Sequence, residues 1–161
     1  MNELPAGAHD FDWYFGTWNV HNRMLRKRLA DSNDWWEFPA TDVVKPILGG
    51  LGNIDEIDFD RPEKPLRGFN LRIFNPATKL WSIYWVDNIG TELQPPLIGA
   101  FENKIGTFFA EDTYNGQPIR VRFIWDEITE NSARWEQAFS ADSGATWEIN
   151  WVMKFTRKLE N

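Results

Sequence analysis

The 161-residue chain contains no cysteine, which excludes disulfides, thiolate metal sites and cysteine nucleophiles. That composition suits a reducing compartment, and a cytoplasmic protein is expected. Histidine is nearly absent too: His9 and His21 are the only two. Neither stands in a metal-ligand spacing, so no metal is expected. No run approaches the roughly 18 apolar residues of a membrane span. The opening MNELPAGAHDFDWYF lacks the basic start and apolar stretch of a secretory leader. No membrane association is therefore expected. Basic residues are in deficit, 17 against 24 acidic ones for a formal charge of −7, which argues against nucleic acid as a partner. One local exception, RMLRKR at residues 23–28, reads either as a solvated strand end or as a docking site for an anionic ligand.

Catalytic signatures are also missing. GGLGN at residues 49–53 lacks the lysine and following helix of a phosphate loop. There is no Gly-x-Ser-x-Gly elbow, and no histidine beyond position 21 to complete a serine triad in the usual hydrolase order. What the chain has in abundance is aromatic side chains: ten Trp, twelve Phe and three Tyr, or 16% of residues. They suit a packed core and equally the lining of a cavity for a flat or greasy ligand.

Long helical periodicity is absent, and short alternating runs recur between turn signals. After a helical turn around residues 10–15, the runs fall at 17–28, 36–48, 52–60, 67–74, 79–87, 97–102, 106–114, 118–126, 132–140 and 145–156. Asn115-Gly116 is the strongest hairpin signal, and Asp142-Ser143-Gly144 marks another tight turn. Nine or ten strands at hairpin spacing predict an all-β, antiparallel up-and-down barrel formed by residues 1–161 as a single domain. In the last strand Trp147, Ile149, Trp151, Met153 and Phe155 share the dry face, with Glu148, Asn150, Lys154 and Thr156 on the wet one. Ile119, Val121, Phe123 and Trp125 form a dry face of the same kind. Strand 79–87 is apolar on both sides, so its outer face is expected to be covered by a helix, a loop or a second subunit, and a homodimer through Tyr84 is one such arrangement.

The segments GTWNVHNR (16–23), GGLGNIDE (49–56), LRIFNP (71–76), WSIYW (81–85), RWEQAFS (134–140) and TWEINW (146–151) span nearly the whole chain. Together they resemble a family of small bacterial proteins of unknown function in the lipocalin-like, or calycin, group of barrels. The resemblance implies a closed antiparallel barrel around a central cavity. It carries over no activity, because the wider group includes lipid carriers, haem proteins and a few cofactor-free enzymes. It also implies that Trp18 of the Gly-x-Trp motif sits inside, near the closed end, against an arginine of the last strand. Arg157 is the best-placed candidate, and a guanidinium over an indole contributes about 0.5–2 kcal/mol.

With Trp18 inside, strand parity sends Val20, Asn22 and Met24 inward and turns His21 and Arg23 outward, unless a bulge intervenes. Polar residues on otherwise dry faces are the most informative, because burying them without a partner is costly. By parity these are Asn22, Asp42, Asn53, Asp55, Asp87, Glu111 and Gln137. Tyr84 and Arg72 would join them if the opposite faces of their strands line the interior. The leading expectation is a barrel that binds a small hydrophobic or aromatic molecule, without cofactor, through Trp18, Asn22, Asn53, Arg72, Tyr84, Trp85, Asp87, Glu111, Gln137 and Trp151. The alternative is a cofactor-free isomerase, cyclase or lyase in which His21 or Asp55 moves a proton while Asn53, Tyr84 or Arg72 stabilises negative charge. Haem ligation, known among calycin relatives, would need a histidine late in the chain, and there is none.

Overall fold

A computed structural model describes residues 3–159. Ten strands form one closed ring: β1 (Gly16–Leu25), β2 (Trp35–Ile47), β3 (Gly52–Phe59), β4 (Leu66–Asn75), β5 (Leu80–Asp87), β6 (Leu97–Glu102), β7 (Ile105–Tyr114), β8 (Gln117–Asp126), β9 (Ser132–Ser140) and β10 (Glu148–Arg157). Each pairs antiparallel with its sequence neighbours, and β1 closes the ring on β10. Closure leaves no free sheet edge. Asn115 and Gly116 both have positive φ, and the Tyr114–Gln117 pair directly flanks them, as a two-residue hairpin loop of the primed kind requires. Among the described residues, no helix is long and apolar enough to cross a membrane.

Alternation places the core. Trp18, Val20, Asn22 and Met24 of β1 are buried, while Asn19, His21 and Arg23 between them are exposed. Two short 3-10 turns, Ala6–His9 and Asp12–Tyr14, plug one end of the barrel. Phe11 from the plug meets Trp81 and Phe101 edge-on at 4.9 Å, and Tyr14 meets Trp125 at the same distance. Such edge contacts contribute about 0.5–1.5 kcal/mol each beyond area burial.

The Gly-x-Trp motif acts at this closed end. Gly16 has φ +117°, and a Cβ there would lie 2.8 Å from the Arg157 guanidinium. The glycine thus lets Arg157 reach across to Trp18, where its Cζ stands 4.2 Å from the ring centre. The same guanidinium donates to the backbone carbonyls of Glu130 (2.9 Å), Phe15 (2.6 Å) and Trp13 (2.5 Å). Plug, first strand and last strand are thereby tied by one side chain.

Two expectations of parity need correction. The pairing of β10 with β9 shifts between Ile149 and Trp151. This bulge turns Ile149 and Trp147 to the outside and buries Asn150 completely. An extra residue on one strand exchanges the faces of everything before it. In β7 the inward aromatic is Phe108, fully buried, whereas Phe109 lies on the outer wall against Trp147 and Arg120. Glu111 therefore also points outward: its side chain is 82% exposed and pairs with Arg120 at 3.5 Å. Two adjacent phenylalanines gave the sequence no way to choose the face. Tyr84 is likewise on the outer wall, opposite Leu71 of β4, with the exposed Leu80 on the same side of its strand.

Candidate ligand cavity

Above the aromatic plug the barrel encloses a cavity of about 520 Å³, open at the end opposite the plug. Its size falls in the range of small-molecule sites, roughly 300–1,000 Å³. Trp85, Trp135, Trp151, Phe59, Phe123 and Phe139 supply aromatic walls. The position of Trp85 depends on a missing side chain. A Cβ on Gly68 would come within 2.0 Å of the Trp85 ring, so glycine on β4 is what allows this indole to lie flat across the neighbouring strand. The indole N–H of Trp151 donates to Asn22 Oδ1 at 2.9 Å, which fixes the ring without using the cavity. Gln137 lines the wall and donates to Asn150 Oδ1 at 2.9 Å.

Polar groups concentrate at the floor and the mouth. At the floor, Tyr14, Asp42, Asn70 and Arg72 face the cavity. Asn53 stands directly opposite Arg72 in the β3–β4 ladder, and Asp55 stands opposite Asn70. Arg72 donates to Asn53 Oδ1 at 2.9 Å and pairs with Asp55 Oδ2 at 2.7 Å, while Asn70 donates to Asp55 Oδ1 at 3.0 Å. Burial works against the Arg72 charge, but its acidic surroundings, the Asp55 carboxylate at 2.7 Å foremost, outweigh it and hold the guanidinium protonated. Asn53 and Asp55 do not reach the cavity; they orient the arginine that does.

Asp42, on β2 beside Trp18, is fully buried and accepts a short hydrogen bond from the Tyr14 hydroxyl. Its other oxygen, Oδ1, has no partner. Burial first, and the Asp55 carboxylate second, push the Asp42 carboxyl well above the ordinary carboxylate range; the Tyr14 hydrogen bond, Arg72 and a weak contact from the Val43 backbone N–H pull the other way and do not prevail. Burial likewise drives the Tyr14 phenol well above its usual value, with Asp42 and Asp55 adding to it. The phenol therefore keeps its proton.

At the mouth, Arg28, Arg61, Asp87 and Asp112 line the opening. Asp87 accepts from the backbone of Ile89 and Gly90 and from the Trp85 indole at 2.7–3.2 Å. Partial burial would raise its pKa, but these three donors and Arg61 hold it below the usual range. Arg28, the last residue of the basic run, lies over the Phe139 ring at 5.4 Å and has no carboxylate within ion-pair distance among the described residues. Among the described residues, no group of three or more His, Cys, Asp or Glu side chains is arranged to hold a metal ion.

Of the residues expected from sequence, Arg72, Trp85, Asp87, Gln137 and Trp151 line the cavity, and Glu111 reaches only its outer rim. Asn22, Asn53 and Asp55 stand one layer behind it, and Trp18 belongs to the closed end. His21 is on the outer wall, bonded to Glu37 at 2.9 Å with both side chains more than half exposed. Tyr14 and Asn70 were not singled out by sequence reasoning, Arg28 only as part of the basic run at 23–28, and Asp42 only as a buried polar residue. The alternation of β2 carried a signal for Asp42. Tyr14 had none, because a 3-10 turn has no periodicity to read.

No protein-family model matches the chain, and no curated protein sequence does. Solved structures do match along nearly its whole length. The crystal structure of Rv2717c from M. tuberculosis covers 98% of this chain and 100% of its own, with a TM-score of 0.63 and 9% identity. The S-type phycobiliprotein lyase CPES from Guillardia theta covers 94% of this chain and 92% of its own, with a TM-score of 0.63 and 8% identity. The fold is a lipocalin-like barrel. At such low identity the likeness extends to the fold and no further.

Proposed function

We propose that this lipocalin-like barrel binds a small molecule with a flat, apolar body and one or two hydrogen-bonding groups. The observation that carries this reading is the distribution of chemistry within the 520 Å³ cavity: largely aromatic walls, broken by Gln137, with the charged groups at floor and mouth. An apolar body desolvates well against such walls, while its polar ends meet Arg72 and Asp42 below or Arg28 and Arg61 above. The test is tryptophan fluorescence against a panel of hydrophobic and aromatic compounds. A binder is expected to quench or shift the emission of Trp85 and Trp151, so Trp85→Phe and Trp151→Phe remove most of the change. Trp18, outside the cavity, contributes little to it. No response to any member of the panel would overturn the reading.

The alternative, a cofactor-free isomerase, cyclase or lyase, has less to work with. The ring of His21 faces outward and Asp55 is committed to Arg72. One observation still favours acid–base chemistry at this site: a carboxyl with one free oxygen, Asp42, lies on the cavity floor.

A further inference from the structure

The buried floor does not balance its charges. Asp42, Asp55 and Arg72 are each no more than 3% exposed, and the cluster holds two carboxyls for one guanidinium. The guanidinium pairs with Asp55 and donates to Asn53, with its Nε left without a partner, while Asn70 takes the other Asp55 oxygen. Among the described residues no second cation faces Asp42. Its neighbours are Tyr14 from the plug, Asp55 from β3 and Arg72 from β4, and β1 presents Trp18 beside it. An ionised carboxylate without a countercharge is expensive in such a place, so the second carboxyl resolves the imbalance by keeping its proton. Tyr14 already donates to Oδ2. The proton of Asp42 therefore belongs on Oδ1, the oxygen that has no partner in the protein, and Asp42 lines the cavity. A buried polar atom without a partner is rare in native structures, and a bound ligand is one way to satisfy it.

We propose that Asp42 is a neutral carboxylic acid whose Oδ1 donates a hydrogen bond to a carbonyl oxygen of the ligand, so that the cavity selects aromatic carbonyl compounds over their hydrocarbon analogues. The proposal deepens the binding reading above and rests on it. Tyr14 is the positioning residue: its hydroxyl occupies Oδ2 and leaves Oδ1 as the remaining site for the proton. Arg72 draws the ionic demand of the floor to Asp55 and so leaves Asp42 uncharged. The layout makes a donor of a side chain that in water would be an acceptor.

Two measurements test this on the full chain. Infrared difference spectroscopy at neutral pH is expected to show a protonated-carboxyl C=O band that shifts in D2O and vanishes in Asp42→Asn. The second uses two probes, 2-acetyl-6-(dimethylamino)naphthalene, whose emission moves to the red when its carbonyl accepts a hydrogen bond, and 2-ethyl-6-(dimethylamino)naphthalene, which has no carbonyl. The wild type is expected to prefer the ketone, and Asp42→Leu to lose roughly five- to tenfold in ketone affinity together with the red shift. Binding of the hydrocarbon falls by less than that of the ketone in that variant. Asp42→Asn, which keeps an N–H donor, retains the preference but loses its pH dependence, since only the carboxyl titrates. Absence of the band, its persistence in Asp42→Asn, or equal loss of both probes in Asp42→Leu overturns the Asp42 assignment and leaves the cavity reading standing. Failure of the ketone to bind the wild type, while other members of the hydrophobic panel do bind, overturns the Asp42 assignment alone; failure of both probes and of the whole panel overturns the cavity reading with it.

Discussion

Arginine serves opposite purposes at the two ends of the barrel. At the closed end Arg157 donates to three backbone carbonyls and covers the Trp18 indole, so its donors are spent inside the protein. At the cavity floor Arg72 is surrounded by side chains, and Asp42 and Asn53 each retain an unpartnered atom next to it. At the mouth Arg28 has no carboxylate within ion-pair distance among the described residues. Satisfied polar groups fix a structure, whereas an unsatisfied one on the lining of a cavity is open to a ligand. By that criterion the aromatic plug is architecture, and the floor and mouth form the site.

This contrast can be broken from either side. Trp18→Ala, at the closed end, is expected to cost about 3–5 kcal/mol in denaturant unfolding, because a fully buried indole leaves a cavity that its neighbours cannot fill. Arg72→Leu should cost nearly as much, about 3–5 kcal/mol, by stranding Asp55 as a buried, unpaired carboxylate. Adding Asp55→Leu to that variant should return most of the loss in the same measurement. If the double variant stays as unstable as the single one, the floor is needed for architecture after all.

Gly68→Ala is expected to displace the Trp85 ring at a cost of about 1–3 kcal/mol, with weakened ligand response and an unchanged closed end. A titration of Asp142, in the β9–β10 turn, sharpens the picture at the rim. Hydrogen bonds from Thr146, then from Ser140, hold its carboxyl at about 2 against an ordinary 3.8. A depressed value means that ionised Asp142 favours the folded state above 3.8, and that this contribution is lost as pH falls through about 2. Asp142→Ala should therefore melt below the wild type at neutral pH, with the gap closing across that acid window in a thermal-melt series. The smallest effect belongs to the outer wall: His21→Ala should change stability by less than about 0.5 kcal/mol and leave ligand fluorescence unaltered.

Much of the scaffold was legible because a strand's period of two is a local property. The inward set of β1, the polar residues of β3 and the apolar face of β8 follow from alternation alone. Alternation failed where one residue breaks the count or where both faces read alike. The bulge at Asn150 turned Trp147 and Ile149 outward, and the Phe108–Phe109 pair concealed which way Glu111 points. His21 looked chemically apt, but its place on β1 puts it on the outer wall, which no property of imidazole can change.

The chain's pattern of dry and wet residues was sufficient to specify hairpin after hairpin, an aromatic interior and a handful of inward polar groups. It could not say which of those groups would meet. Asn22 holds the indole of Trp151 across 129 positions of sequence, and Tyr14 reaches Asp42 across 28. Both contacts exist only once the ring closes and the plug is seated. Closure and register set those distances through many weak cross-strand contacts acting together, and so only the tertiary structure decides that two carboxyls share one buried arginine.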